Sequence, residues 1–272
     1  MRIRVTYATS YTYPADARAI LQVLRLTPRS HESQHVATWQ VETDADVRLK
    51  LGEDAFGNIT HTLSTDRPVG GLTITVRGEV RTTDMAGAVA RTAERLPAGI
   101  FLRETALTKP DAAIQALGER VAREAGSDAL TRMHALMRLL HEEITFDPTA
   151  TLVTGTAAQA LAMGKGVCQD LAHIFVAAAR AMGYPARYVS GHLVRKASDA
   201  AQGAGHAWAE VLVPDYGWIA FDPVNDLCPT DAYIRVAVGL DYLDAAPIRG
   251  ARTGGGEEVM TVSLRVAEAQ QQ

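Results

Sequence analysis

The apolar residues of this chain change their spacing once, and that switch limits the folds open to it more than any other feature. Up to about residue 84 they fall in short β-branched runs: Val36 to Val41, Val47 to Leu51, Ile59 to Leu63 and Leu72 to Val80. Turn signals such as Asp54-Ala55-Phe56-Gly57-Asn58 separate them. This spacing predicts an antiparallel β-sandwich over residues 1–84. From residue 110 the step becomes three and four: Ile114, Leu117 and Val121, then Leu130, Met133, Leu136, Met137 and Leu140. That is the period of amphipathic helices. Gly87, Pro97, Gly99 and Pro110 break up the stretch between, which reads as a linker over 85–109.

A third helix, Ala157 to Met163, leads into the glycine-rich turn Gly164-Lys165-Gly166. A fourth begins at Cys168 and stops at Gly183-Tyr184-Pro185, a helix-ending signal. Strands are expected near 186–194, 206–213, 218–222, 232–239 and 258–267. Residues 110–272 thus read as helices packed on an antiparallel sheet, and the whole chain as α+β. Gly254-Gly255-Gly256 reads as a turn and Gln270-Gln271-Gln272 as a frayed tail.

Composition narrows the function. Of 272 residues 47% are hydrophobic and 21% charged, ordinary globular usage that argues against disorder. A net charge of -4 gives no basic footprint, so neither nucleic acid nor a membrane is an expected partner. No apolar run approaches the ~18 residues of a spanning helix. Met1-Arg2-Ile3-Arg4-Val5 alternates like a strand, with no signal peptide behind it. Two cysteines make no disulfide framework, so the expected compartment is a reducing cytoplasm where a thiol persists.

Cys168, His206 and Asp222 each lie at the end of an expected element, in the chain order of a thiol nucleophile, its base and its orienter. A helix amino terminus favours a thiolate at Cys168, and an adjacent imidazolium would do so further. Gly164 and Gly166 would let another chain approach closely. A lone cysteine is usually a small buried hydrophobe; here the glycine turn and the downstream partners favour chemistry.

The base can be chosen by geometry. His173 stands about 140° around the helix from Cys168 and cannot share its face. His134 and His141 read as solvated or core-edge residues, and His192, inside a strand, is the rival. If Leu212 pairs with Trp218 across the Pro214-Asp215-Tyr216-Gly217 turn, Asp222 falls opposite Trp208, one diagonal step from His206 on the same face. A slip of one residue would separate them. Trp208 and Trp218 share that face and are substrate-lining candidates. For the oxyanion the Cys168 backbone N–H is the natural first donor, and Gln169 a candidate second. Asp170 is explained as a helix-start residue. Zinc on Cys168, His206, Asp222 and Cys228 is a competing use, but no paired short spacing supports it, so no metal is expected. Cys228 reads as a structural thiol. A non-catalytic peptide-binding module is the alternative from another class.

Gly166-Val167-Cys168-Gln169-Asp170-Leu171-Ala172-His173 resembles the nucleophile motif of the bacterial transglutaminase-like proteins, papain-like in catalytic logic. Ala186 to Gly191, His206 to Val211 and Gly217 to Pro223 resemble the motifs that follow it. Tyr11-Thr12-Tyr13, Leu24 to Arg29 and Asp54 to Asn58 are similar to the β-rich domain preceding that core. The resemblance implies a Cys168-His206-Asp222 triad and acyl-enzyme chemistry on an amide, either hydrolysis of a peptide or isopeptide bond or acyl transfer to an amine. It implies no cofactor and no calcium site. It also implies peptide-like substrates, of a kind made by an associated ATP-grasp ligase system. His192 stands where an aromatic residue is commoner in that family.

Overall fold

The computed structural model describes residues 1–93, 95–149, 155–194 and 205–269. The Gln270–272 tail lies outside them. Strands β1 (Arg2–Thr27), β2 (Gln34–Thr43), β3 (Lys50–Glu53), β4 (Ile59–Thr65) and β5 (Val69–Thr82) come first, and a two-residue strand β6 (Ala88–Val89) follows. Then come helices α1 (Ala112–Glu124) and α2 (Ala129–Glu143), strand β7 (Thr145–Phe146), α3 (Ala157–Met163), β8 (Lys165–Gly166) and α4 (Cys168–Ala181). The chain continues through β9 (Ala186–Leu193), β10 (His206–Val213), β11 (Gly217–Phe221), β12 (Tyr233–Gly239), the short α5 (Tyr242–Ala245), β13 (Ile248–Gly254) and β14 (Val259–Glu268).

The expected N-terminal sandwich is one seven-stranded antiparallel sheet curled along β1. Between Thr12 and Ala17 the ladder with β5 jumps from Gly71 to Val69, so β1 advances five residues where β5 advances two. Pro14 sits in that bulge, where its missing N–H costs nothing. Before the bend β1 lies between β5 and β14, and after it between β4 and β13. This corrects one expectation: the strand near 258–267 was expected in the core sheet, yet it pairs with β1 from Ile3 to Thr12. Its alternation, with Val262, Leu264 and Val266 packed on the N-terminal core, specifies a buried face but not which sheet supplies it.

The second sheet runs β12-β9-β10-β11-β6. The expected linker therefore adds a strand, with Val89 opposite Trp218. Ala209, Val211, Val213, Ile219 and Phe221 of this sheet bury one face against α1 to α4. Asp111, Asp128 and Thr156 cap α1, α2 and α3 with their side chains, each typically worth about 1 kcal/mol. The alanine-rich α4 is enclosed on nearly all sides, its small residues allowing close approach to β10.

Two side-chain amides join the sheets. Gln34 donates to the Arg235 carbonyl at 2.9 Å and accepts from the Arg235 N–H at 2.8 Å. Asn58 does the same at Val238, at 2.7 and 2.8 Å. Both thereby satisfy the outer edge of β12 as a neighbouring strand would. Asp54 holds Asn58 in place, accepting from its backbone and side-chain nitrogens at 3.0 Å each.

Candidate active site

Cys168 is the first residue of α4, half-buried beside Ala172, Tyr188 and Ala207. Its position is set by the turn before it. Asp170 reaches back to accept the Val167 N–H at 2.8 Å, closing the first turn of the helix. Gly166 is required there by Asp170 rather than by a distant chain: an added Cβ would sit 2.7 Å from the Asp170 Cβ. Gly164 ends α3 in the left-handed region, φ 63°. Pairing of β7 with β8, Phe146 opposite Gly166, fixes the approach to the thiol.

His206 opens β10 and Asp222 follows β11, and the register is the expected one, with Leu212 opposite Trp218. Nε2 of His206 lies 2.6 Å from Oδ2 of Asp222, both side chains buried. Nδ1 has no closed hydrogen bond; besides Asp222, the Cys168 thiol is the group that acts on the ring. Burial opposes charge on His206 most strongly. Hydrogen bonds and charge from Asp222 and Cys168 outweigh it and raise the imidazole to about 10. Asp222 is also opposed by burial, but His206, Tyr233 and Asn225 hold it below its ordinary value. The arrangement is a thiol at a helix start, an imidazole raised well above its ordinary value, and a carboxylate against the ring.

Sequence reasoning did not find Tyr233 and Asn225. The Tyr233 hydroxyl and the Asn225 amide donate to Asp222 Oδ2 at 2.7 and 2.6 Å. Asn225 follows Asp222 by three residues, a local spacing that could have marked it. Tyr233 arrives from another strand and carried no local signal.

The other histidines are elsewhere. His173 is buried, accepts the Tyr242 N–H at 3.0 Å, and is pushed by burial down to about 4. His192 stacks on Trp39 of β2 with centroids 6.4 Å apart, and burial lowers it to about 4. His134 stands edge-on to Phe221 and His141 is exposed. Trp208 is buried among Val189, Ala220, Tyr233 and Val238. Trp218 packs on Phe101, with the Arg187 guanidinium 3.8 Å over its ring. Gln169 is half-buried in the first turn of α4. Cys228 is unpaired and packed against Gly87, and burial raises its thiol to about 11.

Among the described residues no helix is long and apolar enough to cross a membrane. The profile of the Transglutaminase-like superfamily matches residues 115–223, and that of the Bacterial transglutaminase-like N-terminal region matches residues 3–81. An uncharacterised protein of Mycobacterium leprae is 33% identical over 97% of this chain and 98% of its own length. A protein-glutamine gamma-glutamyltransferase of Pseudomonas aeruginosa is 29% identical over 47% of this chain, which spans 22% of that protein. In structure, a Cytophaga hutchinsonii protein provisionally named as a cysteine protease superposes over 100% of this chain and 92% of its own, with a TM-score of 0.79 at 18% identity.

Proposed function

This chain belongs to the transglutaminase-like superfamily, and from that premise we propose that it cleaves a peptide or isopeptide bond through a thioester on Cys168. His206 holds the proton as an imidazolium that Asp222 stabilises, which leaves Cys168 as the thiolate that attacks the amide carbonyl. His206 then protonates the leaving amine, and water attacks the thioester with His206 as base. Hydrolysis is favoured over transfer because water is in vast excess over any amine. The observation that carries the reading is the buried His206 ring held 2.6 Å from Asp222, with the Cys168 thiol among the groups that raise it. A reducing cytoplasm fits this reading, since the nucleophile must stay a thiol.

The test has two parts. Iodoacetamide should modify Cys168 rapidly at pH 6–7, and His206→Ala should slow that reaction at least tenfold. A library of peptides and isopeptides, including products of ATP-grasp ligases, should then yield cleaved species by mass spectrometry. With cadaverine present, free acid should exceed amine adduct. Slow alkylation indifferent to His206, with peptides bound but uncut, would replace this reading with that of a binding module. Dominant amine adducts would make the chain a transferase.

A further inference from the structure

The chain that runs into Cys168 is paired, just before the thiol, with the short strand β7, and that pairing leaves an edge open. In the parallel ladder of β7 and β8 the Thr145 N–H donates to the Gly164 carbonyl and the Asp147 N–H to the Gly166 carbonyl, each at 2.9 Å. Alternate residues of such a strand bond to alternate sides, so the N–H and carbonyl of Phe146 point away from β8. Neither is bonded to another described residue. β7 is therefore the outer strand of a two-stranded ribbon, with one donor and one acceptor together on its outer side.

The Phe146 ring follows from the same register. Residues directly opposite in a ladder share a face, so the ring stands on the face of the ribbon where Gly166 has no side chain. A Cβ on Gly166 would run into Asp170, 2.7 Å away, so this is the face that meets the first turn of α4. On the other face Lys165 reaches Asp147 at 3.3 Å. Ile144 is buried in the core, yet Phe146, two residues on, is 42% exposed. The ribbon is also anchored towards Asp222. His141 Nδ1, near the end of α2, lies 3.1 Å from the carbonyl of Val224, two residues past that carboxylate. An open edge and an exposed ring are thus fixed between the thiol's own chain and the loop after Asp222.

We infer that Phe146 binds the substrate: an extended segment of its acyl half adds to β7 as a third strand, exchanging both main-chain bonds with Phe146 and laying an apolar side chain against its ring. This rests on the acyl-enzyme reading of Cys168. The acyl half stays on sulfur through both steps, so an edge fixed to the chain that carries sulfur serves that half and not the departing amine. Neighbouring strands lie about 4.8 Å apart, which puts the added strand about 10 Å from β8, roughly three residues of extended peptide. Recognition therefore falls on about the third residue from the scissile bond, and the substrate class is an extended peptide with an apolar side chain there.

Peptidyl chloromethyl ketones test this on the full chain, because they alkylate a thiol beside the bound peptide, with loss of chloride, and need no known substrate. Acetyl-Ala-Leu-Ala-Gly chloromethyl ketone should modify Cys168 at least tenfold faster than acetyl-Gly chloromethyl ketone, each rate divided by that of iodoacetamide. N-methylation of the leucine removes the donor for the Phe146 carbonyl and should abolish most of that gain in the unaltered protein. Phe146→Ala removes the ring and should lose part of the gain. Phe146→Pro also removes the N–H but not a ladder bond, and should lose nearly all of it. Near-ultraviolet circular dichroism checks the folding of both variants. A gain with peptide length that is absent, or that survives either the N-methyl group or Phe146→Pro, overturns the proposal. Slow iodoacetamide reaction indifferent to His206 is a separate result, which removes the acyl-enzyme reading and this inference with it.

Discussion

The Tyr233 hydroxyl lies 2.7 Å from Oδ2 of Asp222, the same oxygen that faces His206 Nε2. One carboxylate oxygen thus holds the ring and is itself held from a different strand. Tyr233→Phe removes one hydrogen bond to a buried charged group, a loss of roughly 1.5–3 kcal/mol. Activity on a cleaved peptide should fall, with kcat changing more than KM, because the orienting carboxylate is loosened while substrate contacts stay. Equal activity in the two proteins would show that Asp222 needs no anchor.

The pH dependence of stability follows from the same ring. His206 is raised from 6.5 to about 10 on folding, so its contribution is complete below pH 6.5 and disappears as pH rises through 10. Across that window the native state keeps a proton the unfolded state loses, and stability falls by up to ~1.4 kcal/mol per pH unit from this group. Urea unfolding from pH 6 to 9.5 should show the decline, and His206→Gln should flatten it.

Glu210 works in the opposite direction. Burial opposes its charge, but Arg235 and Arg187 outweigh that and hold it at about 2. Its stabilisation is present above the ordinary 4.5 and lost as pH falls towards 2. Glu210→Gln leaves two guanidiniums without their carboxylate, a cost of about 3–5 kcal/mol. Urea midpoints should differ widely between the two proteins at pH 7 and draw together below pH 4.5, meeting only as pH approaches 2.

Asn58→Ala exposes the edge of β12. Two hydrogen bonds to Val238 disappear, leaving its N–H and carbonyl unpaired in a buried setting. The expected loss is about 2 kcal/mol or more. Hydrogen exchange should quicken at Val238 while the amides of α4 keep their protection, since Asn58 bonds to the edge of β12.

Much of the site was legible because its determinants are local. Cys168 at a helix start follows from a glycine turn and an apolar period, and the His206–Asp222 juxtaposition from the length of one hairpin. Asn225 was within reach of the same local logic. Tyr233 and β14 were not, because their partners are distant in sequence. A two-residue period reports that one face is buried without naming the strand beside it, so β14 read as part of the wrong sheet. The turn from Asp54 to Asn58 was legible as a turn, but not as a device for capping β12, since nothing in it points to Val238.

The pairing of β14 with the first half of β1 also has a consequence for biosynthesis. On the ribosome β1 appears early, yet the neighbour that completes one of its sides emerges only after the entire thiol-bearing core has been made. Until then one flank of β1 offers unpaired amides and carbonyls, open to any other extended segment. Final closure of the N-terminal sheet is therefore a late event, and it fastens around an already translated core.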